Sequence, residues 1–238
     1  MRSEIAMATF SVLLLTAPPA GGNAEAGGPF VKIDAREVLL KSSELFLNRE
    51  NVKQIQIVFL PENLEEAKRK YAPHLSFSGV KVLSGGPRWI DQIAAALGKI
   101  SPEATHVIVH DAARPVVAYS DIEGIMEMAE KNSAITLAAP SRNNLIEVDE
   151  GGNALAIHPA TRYLQLLTPQ AYDKATFDKM ASTKQEVHPS QLKIFKGSAL
   201  NIRAGGGEAG PGLLKAMLNL LPKPKIKPPS SPFEEAQW

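Results

Sequence analysis

Val107-Ile108-Val109-His110-Asp111-Ala112-Ala113-Arg114-Pro115 is the stretch from which this chain is best read. A short apolar run ends there on an acid, two small residues, a base and a proline that cannot continue a helix or a strand ladder. The pattern predicts a buried strand that delivers the Asp111 carboxylate to its C-terminal edge. In an open parallel α/β sheet that edge is where ligands bind. A lone Asp among alanines suits a Mg²⁺ that also touches a phosphate. It equally suits a carboxylate that pairs with Arg114 and caps the next element, and spacing does not choose between the two.

Outward from this stretch, strand and helix patterns alternate. Ile55 to Leu60 and Thr105 to Val109 are short β-branched runs, whereas Glu62 to Tyr71 and Asp121 to Lys131 are helical in pattern and charge, with Pro61 and Pro102 as punctuation. The alternation predicts a mostly parallel sheet with helices on both faces. Leu145 to Ile157 alternates apolar and polar residues around Gly151-Gly152-Asn153, a hairpin signature. A hairpin projecting from such a core has little to bury by itself, so it either meets a second copy or folds back on its own domain. From Leu221 the chain runs Pro-Lys-Pro-Lys-Ile-Lys-Pro-Pro-Ser-Ser-Pro, which reads as an extended, solvated tail.

With 238 residues, 44% hydrophobic and 21% charged, the chain has enough apolar content for one α/β domain. A net charge of +1 gives no electrostatic reason for a nucleic acid or an anionic membrane as partner. Without cysteine there are no disulfides or thiolate metal sites, and a cytoplasmic setting is expected. Phe10 to Leu15 is too short to span a membrane and reads as a buried strand. His74, His106, His158 and His188 show no metal-ligand spacing, and His110 reads as a packed core histidine.

His110-Asp-Ala-Ala-Arg-Pro115 resembles the signature of the 2-C-methyl-D-erythritol 4-phosphate cytidylyltransferase family, enzymes of non-mevalonate isoprenoid synthesis. The resemblance keeps its order through Ser11 to Leu15, Gln54 to Leu60, Ser84-Gly85-Gly86, Ala138-Ala139-Pro140-Ser141-Arg142, Leu167-Thr168-Pro169-Gln170 and Asn201-Ile202-Arg203. It implies a single three-layer, nucleotide-diphospho-sugar transferase-like α/β domain over residues 10–220. An arm at about residues 143–163 would interlock with its twin in a homodimer, and residues 221–238 would form the tail. It further implies CTP and a small polyol phosphate as substrates, Mg²⁺ on Asp111, and neither nucleic acid nor membrane as partner. Asp111, Arg114, Arg142 and Arg203 take the catalytic places. Ala17, Gly21, Gly22, Gly85, Gly86, Ala112 and Thr168 take those around the nucleotide.

The same resemblance exposes losses. The family's Gly-rich loop carries an Arg and a Lys that hold the triphosphate, and here Asn23 and Gly28 stand in their places. Pro18 and Pro19 remove backbone N–H groups from a loop that would offer them to phosphates. Lys32 and Arg36 lie downstream as partial substitutes. Pro87, Trp89 and Gln92 follow Gly85-Gly86 where an acid, an Arg and a Ser are usual, with Arg88 in part of that space. Ser182 to Gln191 replaces a Thr-Asp-Glu-Ala-Ser segment, Arg203 replaces a Lys, and the Gly-rich run from Gly205 to Gly212 replaces a helix entry. A divergent member with lost or strongly impaired catalysis is therefore expected. The alternatives are an active nucleotidyltransferase with a rearranged site and a non-catalytic dimeric interaction protein.

Overall fold

A computed structural model describes residues 7–19, 28–205 and 209–222, and its centre is strand β1 (Phe10–Leu15). All six of its residues are buried, which is why it reads as a nearly unbroken apolar run. The short strands β2 (Lys32–Ile33) and β3 (Arg36–Glu37) lead into helix α1 (Val38–Glu44). Next come β4 (Val52–Phe59), α2 (Pro61–Phe77), β5 (Val80–Ser84), α3 (Trp89–Ala95) and β6 (His106–Asp111). Then follow α4 (Tyr119–Ala129), β7 (Ala134–Pro140), β8 (Leu145–Val148), β9 (Ala154–His158), β10 (Leu164–Asp173), α5 (Lys174–Thr183), β11 (Lys193–Lys196) and α6 (Pro211–Leu220).

Seven strands form one sheet in the order β11-β7-β10-β6-β1-β4-β5, in which β10 alone runs against the others. Side chains alternate between the two faces. Val12, Leu14, Ile57 and Phe59 pack with α1, α2 and α4, while Leu13, Leu15, Val58, Val107 and Val109 pack with α3 and α5. The expected three-layer α/β architecture is present. The strand expected over residues 105–109 runs on to Asp111, so the acid is its last residue. Helix α2 runs past the expected Tyr71, and α4 starts and ends two residues before the expected limits.

After β1 the chain turns to β4 and β5 on one side, then returns past β1 to place β6 on the other. The succession of strands therefore reverses between β1 and β6. This is a topological switch point, and the crevice for a ligand lies at the C-terminal ends of those two strands. A third apolar cluster, including Ile33, Val38, Ala113, Ala204 and Leu214, fastens the C-terminal segment and α6 beside that edge.

The hairpin is present as β8 and β9, a two-stranded sheet separate from the main one. Gly152 has φ +81°, a conformation that favours glycine, and Asp149 Oδ1 accepts the Asn153 N–H at 2.8 Å to close the turn. No described helix is long and apolar enough to cross a membrane. The Pro/Lys-rich tail from residue 223 lies outside the described residues, as do Gly21, Gly22 and Asn23 of the loop after β1.

Candidate functional site

Asp111 ends β6 at the switch point with its side chain fully buried. Oδ1 accepts the Ala113 N–H at 2.9 Å, a turn that the short Asp-Ala-Ala sequence can close. Oδ2 accepts from Arg203 Nε at 2.9 Å and faces Arg114 Nε at 3.6 Å. Both guanidiniums are nearly buried, at 12% and 11% exposure. Arg114 also donates through Nη1 to the Asn201 carbonyl at 3.0 Å. The pairing of Asp111 with Arg114 that spacing allowed is therefore real, but Arg203 holds the closer contact.

Around this centre the main chain is tightly bonded. Ala112 donates its N–H to the Leu15 carbonyl at 2.9 Å, and its own carbonyl accepts Ser42 Oγ at 2.9 Å. Thr168 presents its hydroxyl to the Asp111 N–H at 3.1 Å, while Asn201 Nδ2 donates to the Thr168 carbonyl at 2.7 Å. Asn201 Oδ1, on a residue only 3% exposed, has no hydrogen-bond partner among the described residues.

Ala17, Gly85 and Gly86 meet on the other side of β1. The Ala17 N–H donates to Gln92 Oε1 at 3.1 Å, and Gln92 is fully buried. A Cβ on Gly85 would stand 2.7 Å from Val58 Cγ1 and 2.9 Å from the Gln92 backbone, so only glycine fits there. Gln92, noted in the sequence as a departure, is thus the residue that fastens this turn to the end of β1. Nothing local in the sequence marks it, or Ser42, for these contacts.

Other expected residues lie apart from this centre. Arg142 is exposed and donates through Nη2 to the Ala199 carbonyl. Of the two downstream cations, Lys32 is exposed and lies 3.9 Å from Glu37, which Lys70 holds at 2.6 Å, whereas Arg36 is paired with Glu44. The arrangement also does not fit a resident Mg²⁺. Asp111 has no exposed surface, one carboxylate oxygen is held by a backbone N–H, and the other is held by a guanidinium with a second cation beside it. Among the described residues no group of three or more His, Cys, Asp or Glu side chains is placed to hold a metal.

His110 is the packed core histidine that the sequence suggested. Its Nε2 faces the Arg114 carbonyl at 2.9 Å and its ring meets Phe46 edge-on. Because a carbonyl only accepts, Nε2 carries the proton, and Nδ1 accepts from the Thr168 hydroxyl at 3.0 Å. Burial pushes its pKa down to about 3, against the opposing pull of the Arg114 carbonyl. A depressed histidine pKa means that the unfolded chain takes up a proton first, so this contribution is complete above about pH 6.5 and is lost as pH falls toward 3. Urea titrations of the wild type and His110→Gln between pH 7 and pH 4 are expected to differ in slope by up to about 1.4 kcal/mol per pH unit, the wild type being steeper. Parallel pH profiles would show that His110 is not held neutral.

A mostly parallel sheet with a carboxylate and two arginines at its switch point, and a tight glycine turn on the far side of β1, has the architecture of a nucleotidyltransferase-like α/β protein. The sequence profile described as 2-C-methyl-D-erythritol 4-phosphate cytidylyltransferase matches residues 12–193, and the chain belongs to that family. The 2-C-methyl-D-erythritol 4-phosphate cytidylyltransferase of Halalkalibacterium halodurans is 27% identical over 157 residues, covering 66% of this chain and 68% of that protein. A bifunctional enzyme IspD/IspF of Solidesulfovibrio magneticus is 31% identical over 149 residues, 60% of this chain but only 37% of its own length. In structure, 4-diphosphocytidyl-2C-methyl-D-erythritol synthase from Anaerococcus prevotii superposes with a TM-score of 0.69 at 17% identity, covering 91% of this chain and 97% of that one. This last likeness speaks for the fold alone.

Proposed function

We propose that the chain keeps the nucleotide crevice of a cytidylyltransferase of isoprenoid synthesis, with cytidylyl transfer from CTP to 2-C-methyl-D-erythritol 4-phosphate lost or strongly impaired. One observation carries the reading: the acid and the bases at the switch point are turned on one another. Arg203 and Arg114 both face the Asp111 carboxylate. In-line attack on the α-phosphorus needs preorganised positive charge around the developing phosphate charge, and here Asp111 balances part of it. Gly28 adds no charge, and Pro18 and Pro19 add no N–H donors.

Within this reading Arg203 and Arg114 attract the triphosphate, while Ala17, Gly85, Gly86, Ala112 and Thr168 shape the crevice. Arg142 stands at the edge of the site toward the arm. A cytoplasmic setting goes with it. Calorimetric titration of the purified protein with CTP, with and without Mg²⁺, separates the alternatives. Binding heat is expected in both conditions. No heat in either would leave the non-catalytic dimeric interaction protein as the better account.

The dimer belongs to the same proposal. Leu145, Ile146, Val148, Leu155 and Ile157 on the arm are 45–70% exposed, and Ile146 lies directly opposite Ile157. Apolar side chains gathered on a projecting ribbon call for cover, and a twofold exchange of arms supplies it with the same surface from each copy. Light scattering at micromolar concentration is expected to give a dimer, and Ile146→Asp with Ile157→Asp a monomer. A monomeric wild type would count decisively against the arrangement.

A further inference from the structure

Gly28 and Arg203 lie far apart in the sequence, yet they meet at the switch point. Gly28 has φ +23°, and a Cβ built on it would stand 3.4 Å from Arg203 Nη2 and 3.8 Å from the Ala113 Cβ. A Cβ there would touch the guanidinium at ordinary van der Waals distance, and what favours glycine at position 28 is the left-handed backbone. That guanidinium is held by Asp111, whose Oδ2 accepts from Arg203 Nε, while the main chain that carries it is anchored one residue on, where the Ala204 N–H donates to the Ala113 carbonyl at 2.8 Å. The second Asp111 oxygen is held by the Ala113 N–H, so the carboxylate is fixed as well.

We infer that Asp111 in this chain is a positioning residue and not a metal ligand: it holds the Arg203 guanidinium over Gly28, so that residue 203 supplies the positive charge that position 28 lacks. A divalent cation would compete with Arg203 for Oδ2. It would enter a nearly buried cluster that already carries two guanidiniums against one carboxylate, where like charge is costly. A phosphate anion meets the opposite situation and is drawn to the excess of positive charge. The inference rests on reading the crevice as a nucleotide site only for the identity of that anion. On this reading Gly28→Lys would bring an ammonium toward a guanidinium on a backbone whose φ of +23° favours glycine, and would not restore a lost contact.

The test uses the full-length protein with Mn²⁺ as the metal probe, followed by electron paramagnetic resonance, and inorganic pyrophosphate as the anion probe, followed by calorimetry in EDTA. Wild type is expected to bind no Mn²⁺ in the absence of nucleotide. Arg203→Met, which frees Oδ2, is expected to gain Mn²⁺ affinity by about tenfold or more and to lose at least about tenfold in pyrophosphate affinity, the size of one charge-assisted contact. Adding Asp111→Asn to Arg203→Met should remove the gained metal binding, and Arg203→Lys should restore most of the pyrophosphate affinity. Gly28→Lys should weaken pyrophosphate binding when Arg203 is present and not when it is Met. Tight Mn²⁺ binding by the wild type that Asp111→Asn abolishes would overturn the inference, and this measurement decides even if Arg203→Met does not fold. Stronger pyrophosphate binding by Gly28→Lys in the wild-type background would overturn it too. If pyrophosphate fails to bind while the Mn²⁺ results hold, the nucleotide reading falls and the positioning role of Asp111 stands.

Discussion

Supplied with CTP, 2-C-methyl-D-erythritol 4-phosphate and Mg²⁺, the purified chain is expected to release pyrophosphate at least about 10³-fold more slowly than the Halalkalibacterium halodurans relative in the same assay. Removing one preorganised charge donor from a transition state costs about 10²–10³ in rate. Here two contributions are reduced. Asn23 carries no charge where the family resemblance places an arginine, and the carboxylate that would seat a metal is already bonded to Arg203 and Ala113. If the losses were independent the deficit would reach about 10⁶, though groups acting as a unit combine less than additively. Arg203 over Gly28 compensates in part, which sets the lower bound. A rate within tenfold of the relative, abolished by Asp111→Ala, would show that other groups perform the chemistry.

Asp111→Ala is expected to lower the unfolding free energy by about 3–5 kcal/mol, the usual cost of leaving buried charge without its partner. The substitution would leave the Arg203 and Arg114 guanidiniums, both about nine-tenths buried, facing each other across an empty space, and would leave the Ala113 N–H without its acceptor. An acid kept only to seat a metal behaves in the opposite way, because its removal relieves an unbalanced charge. Asp111→Asn should fall in between, since an amide oxygen still accepts one hydrogen bond but carries no charge. Urea denaturation at pH 7 measures all three proteins. Unchanged or increased stability of Asp111→Ala would mean that the carboxylate is not the anchor described.

The fold was legible wherever a local pattern decided it. The run Val107 to Val109 ending on Asp111 gave a central strand and its edge because burial on both faces leaves no room for alternation. The arm was legible from alternation around Gly151-Gly152-Asn153, since only a turn needs that cluster. Strand β10 was harder to read, because Pro169 argues against a strand in the middle of a sheet. The structure accommodates it at a break in the pairing with β7 between Leu167 and Gln170, where neither Thr168 nor Pro169 has a partner in the ladder.

The site was legible as a list of residue types and not as an arrangement. Asp111, Ala112, Arg114 and Thr168 lie together at the end of β6. The partner that decides what Asp111 does, Arg203, stands 92 positions away and arrives only through the packing of the C-terminal segment. Gly28 read as a missing charge. Its meaning changes once the guanidinium above it is seen, because the distance between those two groups is a property of the tertiary fold. Arg36 likewise read only as a nearby cation, and its pairing with Glu44 is a property of the folded chain.

A single turnover distinguishes a nucleotide crevice that has lost its chemistry from one that retains it. Enzyme in excess over CTP is mixed with 2-C-methyl-D-erythritol 4-phosphate and Mg²⁺, quenched at intervals from seconds to hours, and the nucleotides are separated and counted. CTP is expected to stay bound and to be recovered intact, with no stoichiometric cytidine diphosphate ester formed over that time. Conversion of the bound CTP within seconds would mean that the chemistry is kept.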